Sequence, residues 1–143
     1  MSEFLNGVDL NVELAYPFLL LIAAAIILLL CSAFYRFKAN FYAALSLLAL
    51  MASFFLELSN VNAFGFSSNA FLGTLNNDII AFYAQCVILL FSFLYLLMDK
   101  KDHIGEFYAL FLFMIASLML MVSSSNLLLI FIGLEASSLA LYT

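Results

Sequence analysis

The residue with the clearest capacity for chemistry is Glu135, a carboxyl within an apolar run that extends from Leu127 to Thr143. An α-helix rises ~1.5 Å per residue, so Glu135 lies ~12 Å along such a helix, near the midplane of a hydrocarbon core ~30 Å thick. Inserting a carboxyl at that depth costs roughly 2.5 kcal/mol or more, and such residues usually face a partner or a water-filled path. The sequence therefore favours a proton-relay carboxyl, or one half of a buried ion pair, over a neutral acid with a structural role.

Small and polar residues surround Glu135 at helical spacing. Those small enough to let a second helix approach closely are Gly133, Ala136, Ser137 and Ala140. Two hydroxyl side chains, Ser138 and Tyr142, follow Glu135 by three and seven residues and so share its face of the helix. We therefore expect Glu135 to belong to a packed, polar helix face.

The other polar residues within or beside the apolar runs predict structural roles. Glu57 comes just before a polar connection, so we expect it to reach the membrane interface. Asp78 is placed to cap the start of the third helix, and Glu106 lies at the positive end of the fourth helix dipole. Gln85 is expected to hydrogen-bond another helix. Glu135 would then be the only titratable group at membrane depth, whereas a proton wire needs several.

The sequence contains no set of residues typical of a metal, haem or nucleophilic site. Cys31 and Cys86 fall in separate apolar runs without a neighbouring cysteine, which predicts buried, unpaired thiols. His103 is the single histidine, and a glycine-rich phosphate loop is also lacking. We therefore expect this chain to bind no metal and no cofactor, and to hold no redox centre of its own.

The composition places most of the chain in lipid. It is 68% hydrophobic and 9% charged, against about 25% charged in an ordinary soluble domain. A core of 143 residues is too small to bury so much apolar surface, so the bilayer itself is a predicted partner. The net charge of -5, with four basic residues, argues against nucleic-acid binding.

Five apolar runs are long enough to cross a membrane as helices, which predicts an all-α, polytopic membrane protein without a soluble domain. The expected helices are residues 14–35, 41–58, 79–98, 107–123 and 127–143. The connection between Ser59 and Asp78 is expected to form an interfacial loop, with a short re-entrant hairpin as the alternative. The fifth run is short for a span and has no polar stop, which indicates a chain truncated within its last helix.

The basic residues predict the orientation of these helices. Arg36 and Lys38 lie between the first two helices, and Lys100 and Lys101 lie between the third and fourth. With five spans these two connections share one face, which the positive-inside rule assigns to the cytoplasm. The amino end is then outside, and it lacks the basic region that a cleavable signal peptide requires.

The stretch from Gly105 to Tyr142, GEFYALFLFMIASLMLMVSSSNLLLIFIGLEASSLALY, resembles the antiporter-like membrane subunits of respiratory complex I. The signature residues on its fifth helix are Gly133, Leu134, Glu135, Ser138, Leu139 and Tyr142. The segment Asn76–Leu96 is similar to the third helix of subunit N, where an aspartate precedes the span. It lacks the D-G-L-S-type motif that subunits L and M tend to carry there.

This resemblance implies a larger protein than the present chain. Members of the family have about fourteen helices, including two inverted five-helix repeats, and sit in the bacterial inner membrane beside other membrane subunits of the complex. Their fifth-helix glutamate, which corresponds to Glu135, pairs with a lysine on a later helix and relays protons, whereas the acid matching Glu106 is taken as structural. Quinone, flavin and iron–sulfur clusters are expected in other subunits.

Two other functions agree with the same residues. A cation–proton antiporter subunit of the Mrp or membrane-bound hydrogenase type shares the fifth-helix glutamate. A membrane scaffold of five helices, in which Glu135 only binds a partner helix, is the third hypothesis. On the resemblance, the sequence favours a membrane-arm subunit of a proton-translocating NADH–quinone oxidoreductase in which Glu135 contributes to a half-channel.

Overall fold

The computed structural model describes residues 16–64, 68–70, 75–99 and 104–142. These residues form five helices and one pair of short strands. The elements are α1 (Tyr16–Phe34), α2 (Ala39–Phe64), β1 (Ser68–Ala70), β2 (Leu75–Asn77), α3 (Ile79–Met98), α4 (Gly105–Ser123) and α5 (Leu127–Tyr142). The predicted all-α class with five helices is confirmed. Helices α1 to α4 each contain a stretch long and apolar enough to cross a membrane, and α5 is a shorter apolar helix.

Local sequence signals explain where several helices begin. The Asp78 carboxylate accepts a hydrogen bond from the Ala81 N–H at 2.8 Å, which confirms the predicted cap of α3. Asn126 plays the same part for α5, where its side-chain oxygen accepts from the Leu128 N–H at 3.0 Å. Pro17 stands in the first turn of α1, where its missing N–H costs nothing.

Helix α4 occupies the centre of the bundle, because it contacts each of the other four helices. Its most extensive contact is with α1 rather than with its sequence neighbours. The buried apolar side chains of α4 include Tyr108, Leu112, Ile115 and Met119. They pack against Leu21 and Leu28 of α1, Leu50 of α2 and Leu89 of α3 in one continuous core.

Two glycines let α4 approach its neighbours closely. A Cβ atom at Gly105 would lie 2.9 Å from Cβ of Ser32 and from the Tyr42 ring, so the start of α4 sits directly beside the α1–α2 turn. A Cβ atom at Gly133 would collide with Cγ of Met121 and lie 3.2 Å from the Ser117 carbonyl oxygen. Glycine at these two positions therefore sets the distance of α4 from the α1–α2 turn and from α5.

The bundle has the polarity expected in a lipid solvent. Large apolar side chains point outward, as at Ile27, Leu48, Phe55, Ile80 and Phe91, all of which are at least half exposed. Several polar side chains are buried instead, among them Ser46, Ser53, Glu57, Asn60, Gln85, Ser92 and Ser117. Because hydrocarbon offers no hydrogen bonds, polar groups are less costly between helices than on the outer surface.

The connection between α2 and α3 is shorter than predicted and contains a pair of short strands. Helix α2 continues to Phe64 rather than ending at residue 58, and β1 pairs antiparallel with β2 through Ser68↔Asn77 and Ala70↔Leu75. The polar residues after Leu58 predicted a loop, but Asn60 is buried against the bundle and the helix continues past it. The other helix bounds differ from the expected ones by a residue or two at most. The proposed orientation stays a prediction, and Lys100 and Lys101 lie outside the described residues.

The close approach of α5 to α4 predicts a specific cost for a larger residue at Gly133. Gly133→Val should lower the free energy of unfolding of the chain in detergent micelles by about 1–3 kcal/mol, because the new side chain overlaps Met121 and the Ser117 backbone. In a Met121→Ala background the same substitution should cost measurably less, while Ala136→Val on the half-exposed side of α5 should cost little. Equal costs in both backgrounds would contradict the packing described.

The cap at Asp78 gives a second prediction. Asp78→Ala should lower the free energy of unfolding by about 0.5–2 kcal/mol, since the Ala81 N–H loses its acceptor. Asp78→Asn retains a side-chain oxygen and should stay close to the parent chain in the same denaturation measurement. A loss of equal size in both variants would mean that the charge, rather than the hydrogen bond, stabilises the start of α3.

Candidate functional site

Glu135 lies on the outer flank of the described bundle. Gly133 and Ser137 are buried against α4, whereas Glu135 and its neighbours Leu134 and Leu139 are exposed. The Ser137 hydroxyl donates to the Leu134 carbonyl at 2.9 Å and so serves its own helix rather than the carboxyl. Within the described part of the chain, the Glu135 side chain makes no hydrogen bond or ion pair. The carboxyl therefore faces the side of α5 that these residues leave open.

The small residues around Glu135 divide between two faces of α5. Gly133 makes the close contact with α4 that the sequence predicted for a neighbouring helix. Ala136, Ser138 and Ala140 are half-buried, and Tyr142 is almost fully exposed. The expected packed polar face is thus occupied by α4 only on its Gly133 side. The strip of the α5 surface that α4 leaves uncovered carries both polar and apolar side chains, with Glu135 at its centre.

Glu57 is buried, and the prediction that it reaches an interface is wrong. Its side chain is 3% exposed, because α2 continues beyond it and turns this position toward the bundle. Ser53, four residues earlier, and Asn60, three residues later, are buried on the same face. Ser53 donates to the Pro17 carbonyl of α1 at 3.0 Å. Glu57 is therefore a second carboxyl enclosed by the helices, whereas the expectation that Glu135 alone is titratable at membrane depth stays a prediction.

Gln85 connects this buried face to two other helices, which confirms the predicted contact between helices. Its side-chain amide lies between the Met119 carbonyl of α4, 3.4 Å from one amide atom, and the Glu57 carboxylate of α2. The hydrogen-bonding partners place the amide nitrogen toward Glu57, where it donates to the two carboxylate oxygens at 2.5 and 3.3 Å. Gln85 is 5% exposed, so this contact lies inside the bundle.

Sequence reasoning missed Glu57 because the residues after it resemble a loop. The signal that reveals it is a polar stripe at helical spacing, Ser46, Ser53, Glu57 and Asn60, which lies on one face of a single long helix. All four side chains are buried. In a helix surrounded by lipid, such a stripe indicates the side that faces other helices.

Glu106 lies at the end of the bundle opposite to Glu57 and Gln85. It is in the first turn of α4, at the positive end of the helix dipole, as predicted. It is exposed between two open hollows. One of about 670 Å³ is lined by Tyr95, Phe107, Met114 and Leu141 among others, and one of about 490 Å³ by Ser32, Arg36 and Tyr42 among others. The wall of the first hollow is largely apolar, whereas Ser32, Arg36 and Tyr42 give the second hollow a mixed lining.

The described residues offer no cluster from which a metal site could be built. Among them, no group of three or more histidine, cysteine, aspartate or glutamate side chains comes together. Cys31 and Cys86 are unpaired, as predicted, but half-buried rather than fully buried. His103 lies outside the described residues.

Comparisons with known proteins identify close relatives along the whole chain. It is 66% identical over 143 residues to NADH-quinone oxidoreductase subunit N of Campylobacter jejuni, matching 100% of this chain and 31% of the relative. It is 51% identical to the subunit N of Campylobacter lari, over 93% of this chain and 29% of the relative. The subunit N of Helicobacter acinonychis is 38% identical over 90% of this chain. No family model and no solved structure matches the chain.

These relatives confirm the resemblance to subunit N of complex I, which was based in part on the motif of the fifth helix. The chain spans about a third of the length of the relatives that it matches. Its apolar helices, together with relatives from bacterial complex I, place it in the bacterial inner membrane as a multi-pass protein. The chain belongs to the NADH-quinone oxidoreductase subunit N family, the antiporter-like membrane subunits of complex I, and corresponds to their amino-terminal portion.

Proposed function

We propose that this chain is part of the proton-translocating membrane arm of an NADH–quinone oxidoreductase, and that Glu135 is a proton-relay carboxyl of a half-channel there. The observation that carries the proposal is the position of Glu135, midway along an apolar helix and exposed on its flank. The names of the relatives support the assignment of the chain to this complex, and the motif around Glu135 supports its role as a proton carrier.

The exposure of Glu135 argues for a partner outside the described bundle. A carboxyl open to hydrocarbon is costly, so another helix or a water-filled path must cover it in the working protein. The strip beside it carries half-buried Ser138 and Ala140, which permit a close helix contact. A lysine on that covering helix, as the resemblance implies, would complete the site.

A carboxyl in such a place can act as a switch. Burial disfavours the charged form of a carboxyl, whereas a nearby cation favours it. Movement of the cation would therefore make Glu135 release or take up a proton. Redox energy would reach it through neighbouring membrane subunits, since the quinone, the flavin and the iron–sulfur clusters of the reaction are expected in other subunits.

The two rival functions make different demands on Glu135. A cation–proton antiporter subunit of the Mrp or hydrogenase type would also use its carboxyl, but the close relatives carry the name of subunit N. A scaffold would need only a contact between Glu135 and a partner helix. It would not need the carboxyl to bind and release a proton. Glu135→Gln separates the scaffold from the relay, because it keeps the contact and removes the titratable proton.

Replacing Glu135 by glutamine tests the relay, because the amide keeps the size of the side chain and cannot titrate. In the assembled complex, Glu135→Gln should reduce proton pumping coupled to NADH oxidation by at least about tenfold, a loss at the low end for an essential proton carrier. Pumping is measured as acidification of inverted membrane vesicles, and assembly is checked on native gels.

The matched control is Glu106→Gln, which removes an exposed acid from the same bundle and should leave pumping within about twofold, as for an ordinary surface substitution. Normal pumping in Glu135→Gln, together with failed assembly in Glu135→Ala, would refute the relay and establish the scaffold.

A further inference from the structure

Arg36 and Glu106 line one hollow at the end of the bundle, and neither has a role in the proposed proton relay. The hollow of about 490 Å³ lies between the α1–α2 turn, which carries Arg36, and the start of α4, which carries Glu106. Within the described part of the chain, the Arg36 guanidinium and the Glu106 carboxylate form no ion pair, either with each other or with another side chain. A cation and an anion therefore share this hollow without neutralising each other directly.

Two hydroxyl side chains complete the polar lining of this hollow, and they differ in what they bind. The Tyr42 hydroxyl donates to the Tyr35 carbonyl at 2.7 Å and accepts from the Phe37 N–H at 3.4 Å, so it holds the turn that carries Arg36. The Ser32 hydroxyl makes no hydrogen bond to another described residue. Arg36 and Ser32 are thus two donors available to an anionic group, and a guanidinium matches the oxygens of a phosphate especially well.

The apolar hollow of about 670 Å³ adjoins the polar one, because Ile104 and Glu106 line both. Its wall continues along α4 through Phe107 and Leu110 to Met114. From Ile104 to Met114, α4 rises ~15 Å at ~1.5 Å per residue, which is half of a hydrocarbon core ~30 Å thick. The apolar hollow therefore extends from the end of the bundle to about the depth of one lipid leaflet.

The charges of the polar hollow restrict the headgroup that fits it. A phosphate group satisfies Arg36, but an anion with no positive charge of its own is repelled by Glu106. A headgroup that carries both a phosphate and an ammonium group complements both side chains at once. The ammonium must also donate hydrogen bonds, because a carboxylate only accepts them.

We propose that the two adjoining hollows form a binding site for one zwitterionic phospholipid of the phosphatidylethanolamine type. Its phosphate accepts hydrogen bonds from Arg36 and Ser32, its ammonium donates to Glu106, and one acyl chain lies along α4 in the apolar hollow. The bound lipid joins the α1–α2 turn to the start of α4. This proposal rests on the two hollows and does not depend on the role of Glu135.

Native mass spectrometry of the chain tests the site, with phosphatidylethanolamine, phosphatidylglycerol and phosphatidylcholine of identical acyl chains supplied in equal amounts. Phosphatidylglycerol lacks the ammonium, and the methylated ammonium of phosphatidylcholine has no N–H to donate. The chain should retain phosphatidylethanolamine about tenfold better than either, the effect of one hydrogen bond between charged groups. Arg36→Gln should lower this retention about tenfold. The matched control is Lys38→Gln, which removes a cation of the same turn that lines neither hollow and should change retention by no more than about twofold.

Equal retention of the three lipids, or a preference for phosphatidylglycerol, would overturn the proposal without any variant that has to fold. Equal losses in Arg36→Gln and Lys38→Gln would also overturn it, since they would indicate attraction to the basic turn as a whole.

The assembled complex provides a second test of the apolar hollow. A photoreactive amino acid in place of Leu110 should crosslink to a phospholipid, whereas a crosslink to a polypeptide would show that a helix fills the hollow and would refute the lipid site. Both tests detect bound lipid rather than pumping, so this proposal and the proton relay can fail independently.

Discussion

The absence of hydrogen-bonding partners in hydrocarbon determines the arrangement of polar groups in this bundle. A serine, amide or carboxyl on the lipid face would lose its hydrogen bonds to water and gain none, so the described helices turn these groups toward one another. Ser53 reaches the Pro17 carbonyl, and the Gln85 amide reaches Glu57 of α2. Glu135 departs from this pattern, since its carboxyl faces outward without a described partner. The same solvent that pairs the interior groups makes Glu135 depend on a neighbour.

The central helix α4 contacts both of the helices that carry these carboxyls, α2 with Glu57 and α5 with Glu135. Met119 of α4 meets Gln85 on one side, while Ser117 and Met121 meet Gly133 of α5 on the other. A small shift of α4 would therefore alter the surroundings of Glu57 and the position of the helix that carries Glu135. Such coupling requires close packing, because loosely packed helices absorb a displacement instead of passing it on.

The sequence predicted those features that depend on length and local chemistry. An apolar run of about 20 residues has few alternatives to a helix in a membrane, and Asp78 before such a run has an evident use as a cap. The extent of α2 was not predicted, because Ser59 and Asn60 have the composition of a loop, and the burial of Asn60 depends on neighbouring helices. Glu57 was misjudged for the same reason. A side chain's direction is fixed by tertiary contacts, which neither hydropathy nor spacing records.

The preference of α1 for α4 has a consequence for synthesis of the chain. The two helices are separated by about 70 residues, and a ribosome adds roughly 5–20 residues per second, so α1 leaves the ribosome several seconds before α4. During that interval its future contact face, including Leu21 and Leu28, must be covered by lipid or by the insertion machinery. Native packing of α1 therefore cannot be completed in the order of translation. Its packing against α4 is a late event, which begins only when the fourth helix enters the membrane.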